Sequence, residues 1–156
     1  MTESRLKLIP LYNLRGVLNL WKYLEDGIEA ILNNAGDDTS LEKIFNDIMA
    51  GQLLLWVGFV DGNYAGFATT KIVDVPPSKR HLWIVHAFKK KKVSSEWFLE
   101  AHGILEVFSK KQGCQSIRFY GLRKPWQDKF FALGYREGYV EFVKDIENED
   151  LQKNRN

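Results

Sequence analysis

Cysteine is almost missing from this chain: Cys114 is the only one in 156 residues. That excludes an internal disulfide and any metal centre built on cysteine. The three histidines, His81, His86 and His102, lack metal-ligand spacing, so no metal is expected. Long apolar runs are missing as well. The longest, Leu53 to Val60, falls far short of the roughly 20 residues that a spanning helix needs, so no membrane contact is expected. Met1–Arg5 lacks the charged-then-apolar pattern of a secretion signal, so the chain reads as cytoplasmic or carried inside a larger assembly. There is no Gly-x-x-x-x-Gly-Lys phosphate loop, no internal repeat, and no low-complexity stretch apart from Lys89–Lys92.

What is present is a globular composition. Hydrophobic residues make up 45%, aromatics 13% and charged residues 27%, which excludes disorder and suffices for one core. The net charge is only +2, but it is unevenly spread. Residues 1–78 carry six basic and ten acidic side chains, 79–136 carry thirteen and four, and the last twenty carry three and six. A basic middle segment faces phosphate or an acidic partner, or is simply a solvated lysine face.

Apolar spacing gives the order of elements. Leu6, Leu8 and Ile9 suggest a first strand, and Val17, Leu20, Trp21, Leu24, Ile28 and Ile31 a helix near 14–33. Thr39 with Glu42 forms a capping box for a second helix carrying Ile44, Phe45, Ile48 and Met49. Leu53–Val60 and Tyr64–Val75 read as a hairpin around Asp61-Gly62-Asn63, and His81–Phe88 as the next strand. Ser94 or Ser95 can cap a helix running to Lys111, closed by Gly113. Ser116–Tyr120 is a strand, Pro125–Leu133 a short helix and Tyr135–Val143 a final strand. The order β-α-α-β-β-β-α-β-α-β predicts an α+β mixed sheet with helices on both faces. It forms a single domain over 1–144, followed by a polar, flexible tail over 145–156. Trp56, Trp83, Trp97, Phe98, Phe119 and Phe131 fall on faces expected to be buried.

Over Arg5 to Lys144 this order resembles the GCN5-related N-acetyltransferase (GNAT) superfamily. Leu82-Trp-Ile-Val-His-Ala-Phe-Lys-Lys-Lys-Lys-Val-Ser-Ser95 resembles that family's strand and cofactor loop, usually Arg/Gln-x-x-Gly-x-Gly/Ala. Phe130-Phe-Ala-Leu-Gly-Tyr135 resembles its closing Phe-Tyr-x-x-x-Gly-Phe signature. The resemblance implies an acyl-CoA-dependent N-acetyltransferase using acetyl-CoA, with a small-molecule or protein amine as acceptor. It implies two diverging strands, 81–88 and 115–121, with a cationic rim. Ile84, Val85, His86 and Phe88 would then meet the pantetheine arm, and Lys89, Lys92, Val93, Ser94 and Ser95 the phosphates.

The departures are specific. In register, Lys89 stands at the Arg/Gln position, Lys92 at the first Gly and Ser94 at the second, so the usual glycine cradle is lost. Lysines bind phosphate as point charges instead. Phe130 occupies the position of the family's tyrosine acid and has no proton to give, leaving Tyr120 as the candidate acid and His86 and Glu96 as candidate bases. With its basic, glycine-poor loop and no tyrosine in its closing helix, the chain also resembles small podophage proteins of this fold class found in or near the virion. That resemblance implies a catalytically inactive interaction or structural piece with a virion or other protein partner. A third expectation is nonspecific polyanion or nucleic-acid contact through Lys79–Arg80, Lys89–Lys92, Arg123 and Lys124.

Overall fold

The computed structural model describes residues 6–32, 40–119 and 124–138, together with 142, 144 and 146. Packing divides the chain into two compact units, Met1–Tyr120 and Gly121–Asn156. The first holds β1 (Leu6–Leu11), α1 (Leu14–Leu32), α2 (Leu41–Met49), β2 (Leu54–Val60), β3 (Asn63–Val75), β4 (Lys79–Lys89), α3 (Ser95–Lys111) and β5 (Ser116–Phe119). The five strands lie in the order β1-β2-β3-β4-β5. The first four form an antiparallel meander, and β5 runs parallel to β4. A parallel neighbour needs a crossover rather than a tight turn, and α3 supplies it.

The local chemistry explains each boundary. Val60 pairs with Asn63, so the hairpin loop is only Asp61-Gly62. Both residues have positive φ, 51° and 81°, the combination of a type I′ turn. Helix α2 starts one residue later than the Thr39 capping box predicts: Ser40 is the N-cap, its hydroxyl accepting from Lys43 N at 3.2 Å, while Thr39 lies outside the described residues. Helix α3 ends in a Schellman motif. Gly113 has φ 75°, Cys114 N donates to Ser109 O at 2.9 Å, and Gly113 N donates to Lys110 O at 3.1 Å.

Helices cover both faces of the sheet. On one face α1 and α2 bring Val17, Leu24, Ile28, Ile44 and Ile48 onto Leu55, Val57 and Phe67. On the other, Ala101 and Leu105 of α3 pack on Leu8, Trp56, Ala68, Leu82 and Ile84. Trp56 is tied inside this second layer by its indole N–H, which donates to Thr70 Oγ1 at 2.9 Å. Among the expected core aromatics, Trp56 and Trp97 are buried, whereas Phe131 of the second unit is 45% exposed.

Two bulges break the ladders. Gly58 pairs with Gly66 and Phe59 with Tyr64, leaving Ala65 of β3 as the extra residue. Thr69 pairs with His86 and Thr70 with Ile84, leaving Val85 of β4 as the extra residue. The second bulge changes which side chains share a face. Leu82, Ile84 and Ala87 all join the α3 layer, while Val85 and Phe88 join the α1/α2 layer. Strict alternation would put His81 and His86 on opposite faces, and the inserted Val85 returns them to the same one.

The second unit contains α4 (Lys124–Ala132). It also ends in a Schellman motif: Gly134 has φ 96°, Tyr135 N donates to Phe130 O at 3.1 Å, and the Phe130 and Tyr135 rings meet edge to face at 4.9 Å. Of the expected closing strand, 135–138 and 142 are not in a strand, and the remainder lies outside the described residues, as does most of the 145–156 tail. Among the described residues, no helix is long and apolar enough to cross a membrane.

Candidate active site

Among the described residues β4 pairs with β5 from His81↔Ser116 to Ile84↔Phe119, where the described part of β5 ends. Beyond that point, 85–89 has no ladder partner on the β5 side among the described residues. Ile84 is engaged in the ladder and buried in the α3 layer, whereas Val85 is the bulged residue and His86 and Phe88 follow it.

β4 then runs into the lysine loop. Lys90 N donates to Ala65 O at 2.9 Å, so the carbonyl of the first bulge anchors the loop. Val93 N closes a turn onto Lys90 O at 3.0 Å. The Lys89 ammonium turns inward and donates to Val93 O at 2.5 Å and Lys90 O at 3.3 Å. It braces the loop, and the cations presented to solvent are Lys90, Lys91 and Lys92. The Lys90 ammonium also sits 5.3 Å from the centre of the Tyr64 ring. Burial, helped by Asp26, pushes the Tyr64 phenol well above its ordinary value.

The absent glycines have no backbone consequence here. Asp61 is the only non-glycine at positive φ among the described residues, so Lys92 and Ser94 stand where glycine is usual without left-handed strain. Ser94 is the N-cap of α3 at φ −68°, and its side chain makes no capping hydrogen bond. Three exposed cations beside a helix N-terminus oppose the macrodipole by about 0.3–1 kcal/mol for each one near enough to feel it. An anion seated there reverses that sign.

His86 lies immediately after the bulged residue, half-buried on the α1/α2 face. Its Nδ1 is 2.7 Å from the Oγ1 of Thr69, which is fully buried on the neighbouring strand. Burial lowers its pKa, with Asp47 of α2 pulling weakly the other way, so the ring is neutral near pH 7. Glu96 is exposed in the first turn of α3, on the other side of the sheet, so the two candidate bases are not brought together. Tyr120 lies outside the described residues.

His81, nearer the start of β4, is held differently. Arg118 Nη2 is 3.3 Å from His81 Nε2, and Ser116 Oγ is 2.6 Å from its Nδ1. Arginine only donates, so Nε2 accepts and Nδ1–H donates to Ser116, which is therefore not an activated nucleophile. Burial, then Arg118 and Lys79, keep the His81 pKa low. His102 of α3 lies 3.1 Å from Glu106 and borders a small cavity of about 30 Å³ with Ile84, Ala87, Trp97 and Ala101. Thr69 and Ala65 are the site residues that sequence reasoning missed, and Lys89, expected at the phosphates, instead bonds the loop's own carbonyls. Nothing in the residue pattern announces the two bulges that involve Thr69 and Ala65.

No protein-family model matches the sequence, and no curated protein matches it. Solved structures do match. An aminoglycoside acetyltransferase from an uncultured soil metagenomic sample, in complex with trehalose, aligns at TM-score 0.68 and 13% identity over 91% of this chain and 97% of its own. An aminoglycoside N-acetyltransferase in complex with CoA aligns at 0.66 and 15%, over 92% and 97%. A ribosomal-protein-alanine N-acetyltransferase from Brucella melitensis biovar Abortus 2308 aligns at 0.69 and 12%, over 91% and 100%. The mixed five-stranded sheet with its α3 crossover matches these structures over nearly their whole length. The chain has the GNAT fold.

Proposed function

We propose that the chain is an acyl-CoA-dependent N-acyltransferase, acting on an amine with acetyl-CoA as donor. The observation that carries this reading is the end of β4, which bulges at Val85 and leads directly into three exposed lysines at a helix N-terminus. The same fold in a CoA complex supports it.

The residues fit the donor. The backbone of Val85, His86 and Phe88 would hold the amide-bearing pantetheine arm by strand-like hydrogen bonds. Lys90, Lys91 and Lys92, with the uncapped start of α3 at Ser94 and Ser95, would hold the phosphates through charge and backbone N–H groups. Lys89 and Val93 keep the loop in shape. Bound acyl-CoA supplies an activated acyl carbon with a thiolate leaving group. His86 takes the proton of the acceptor amine as nitrogen bonds to that carbon and the carbon–sulfur bond breaks. The departing sulfur takes its proton from water. Lack of a dedicated acid lowers the rate by about 10²–10⁴, which makes this a slow enzyme.

One observation favours a second reading, a GNAT-fold protein that binds without turnover. Phe130, at the acid position, is the ring that closes the end of α4 against Tyr135. In that reading the chain is the phage-associated interaction piece that its glycine-poor loop resembles, and the lysines meet a polyanion. Thermal unfolding with acetyl-CoA separates the two. The acyltransferase reading expects a rise in Tm that Lys92→Glu removes and that accompanies acetyl transfer to a panel of amines. No shift at millimolar acetyl-CoA rejects it. The polyanion reading expects DNA or heparin binding that weakens steeply with salt.

A further inference from the structure

Helix α3 buries Trp97, Ala101, His102, Leu105 and Ser109 on its sheet side and turns the opposite face to solvent. That outer face has an order that packing within the chain does not require. Glu96, Gly103 and Lys110 recur every seven residues, almost two helical turns, and so form its midline. Leu99 and Val107 flank that line on either side of Gly103, 39% and 53% exposed. A methyl group added at Gly103 would meet nothing within 4 Å. Glycine weakens a helix interior relative to alanine, and no contact among the described residues asks for it here. Glu100, Glu106 and Lys111 border the face, and Glu106 lies 3.1 Å from His102 of its own helix.

Turned end for end about Gly103, this face meets its own complement: position 96 comes level with 110, 99 with 107, and 103 with itself. We infer that the outer face of α3 is a self-association surface, on which a second copy of this chain docks antiparallel about a two-fold axis at Gly103, Glu96 of each copy meeting Lys110 of the other. A two-fold interface needs one patch that complements itself, and the placement of charge satisfies this in one orientation. Parallel docking would set Glu96 on Glu96 and Lys110 on Lys110. Antiparallel docking also brings Glu100 level with Glu106 of the second copy, but on opposite edges of the seam, where the half-exposed Glu106 faces water. The bare backbone at Gly103 lets the two helix axes approach to the near end of the usual spacing, about 8–10 Å, and brings Leu99 onto Val107. Two apolar side chains per copy make a small seam, so the dimer is weak, with a Kd of about 0.1–1 mM. This surface is independent of the acyltransferase reading.

The test is sedimentation equilibrium of the full-length chain at low salt, from about 10 μM to about 2 mM, a range that brackets the expected Kd. Wild type is expected to pass from monomer toward dimer across it. A chain still monomeric at the top of the range overturns the inference, and that measurement needs no variant to fold. Glu96→Lys and Lys110→Glu should each weaken association about tenfold, and the two together should return it to within about threefold of wild type. Gly103→Leu should abolish association while circular dichroism shows the helix content unchanged. A dimer that is indifferent to these changes, or that the combined charge exchange does not restore, uses another surface and overturns the inference.

Discussion

The indole of Trp97 rests directly on the bare backbone of Gly58: a methyl group added at residue 58 would collide with the ring's Cζ2 and Cη2 edge. Trp97 opens α3 and Gly58 lies in the middle of β2, so this contact sets how closely the crossover helix approaches the sheet. Gly58→Ala forces the ring or the helix away, at about 1–3 kcal/mol of overpacking. Gly103, in the middle of α3, has nothing within 4 Å of such a methyl. Gly103→Ala should therefore stabilise by about 1 kcal/mol through helix propensity. Urea unfolding of the pair should give shifts of opposite sign.

Trp56 and Thr70 make a second internal test. Their hydrogen bond lies in the buried layer under α3. Thr70→Val keeps the shape but strands the indole N–H, and should destabilise by about 1–3 kcal/mol. Trp56→Phe together with Thr70→Val removes both partners and should cost less than the two single changes summed, measured as a double-mutant cycle.

The lysines of the loop divide into two kinds. Lys89→Met removes an ammonium that bonds two carbonyls and should destabilise the fold by about 1–2 kcal/mol. Lys91→Glu and Lys92→Glu place negative charge beside the start of α3 and should raise Tm slightly, each by the equivalent of about 0.3–1 kcal/mol. The same two changes should abolish any stabilisation by acetyl-CoA. Thermal unfolding with and without acetyl-CoA checks both signs at once.

All three histidines have lowered pKa values, burial being the largest cause for each. The native chain therefore holds its imidazoles neutral where the unfolded chain protonates them. Between the depressed native values and about 6.5, the unfolded state binds more protons, so stability rises with pH across that window. Full stability is present above about pH 6.5 and is lost progressively as pH falls through the native values. Urea midpoints at pH 7.5 and pH 5 should differ in that direction, and His102→Gln should shrink the difference. Acyl transfer should follow the same limb, falling as His86 becomes charged.

Much of this fold could be read from local pattern because its signals are local. Asp61-Gly62 demands positive φ twice in succession and fixes the hairpin. The Gly113 and Gly134 ends are helix-stop chemistry. The bulges could not be read, since Val85 and Ala65 carry no local peculiarity and become the extra residue only when two strands meet in register. For the same reason the pairing of Thr69 with His86, and the return of His81 and His86 to one face, were hidden behind an alternation that holds only for unbroken ladders. The lysine loop was legible in charge but not in geometry. Four like side chains in a row give no indication that Lys89 points inward while the next three point out. The Thr39 cap missed by one residue because Thr39 and Ser40 are adjacent hydroxyls with equal capping chemistry, and only the register of α2 chooses between them.

Because no residue from 90 to 95 has a positive φ, the backbone makes no demand for glycine at positions 91 and 92. A library randomised at those two sites should express and fold almost in its entirety. Whatever retention of positive charge survives a functional screen of that library would then measure the ligand's preference, uncontaminated by the scaffold's own needs.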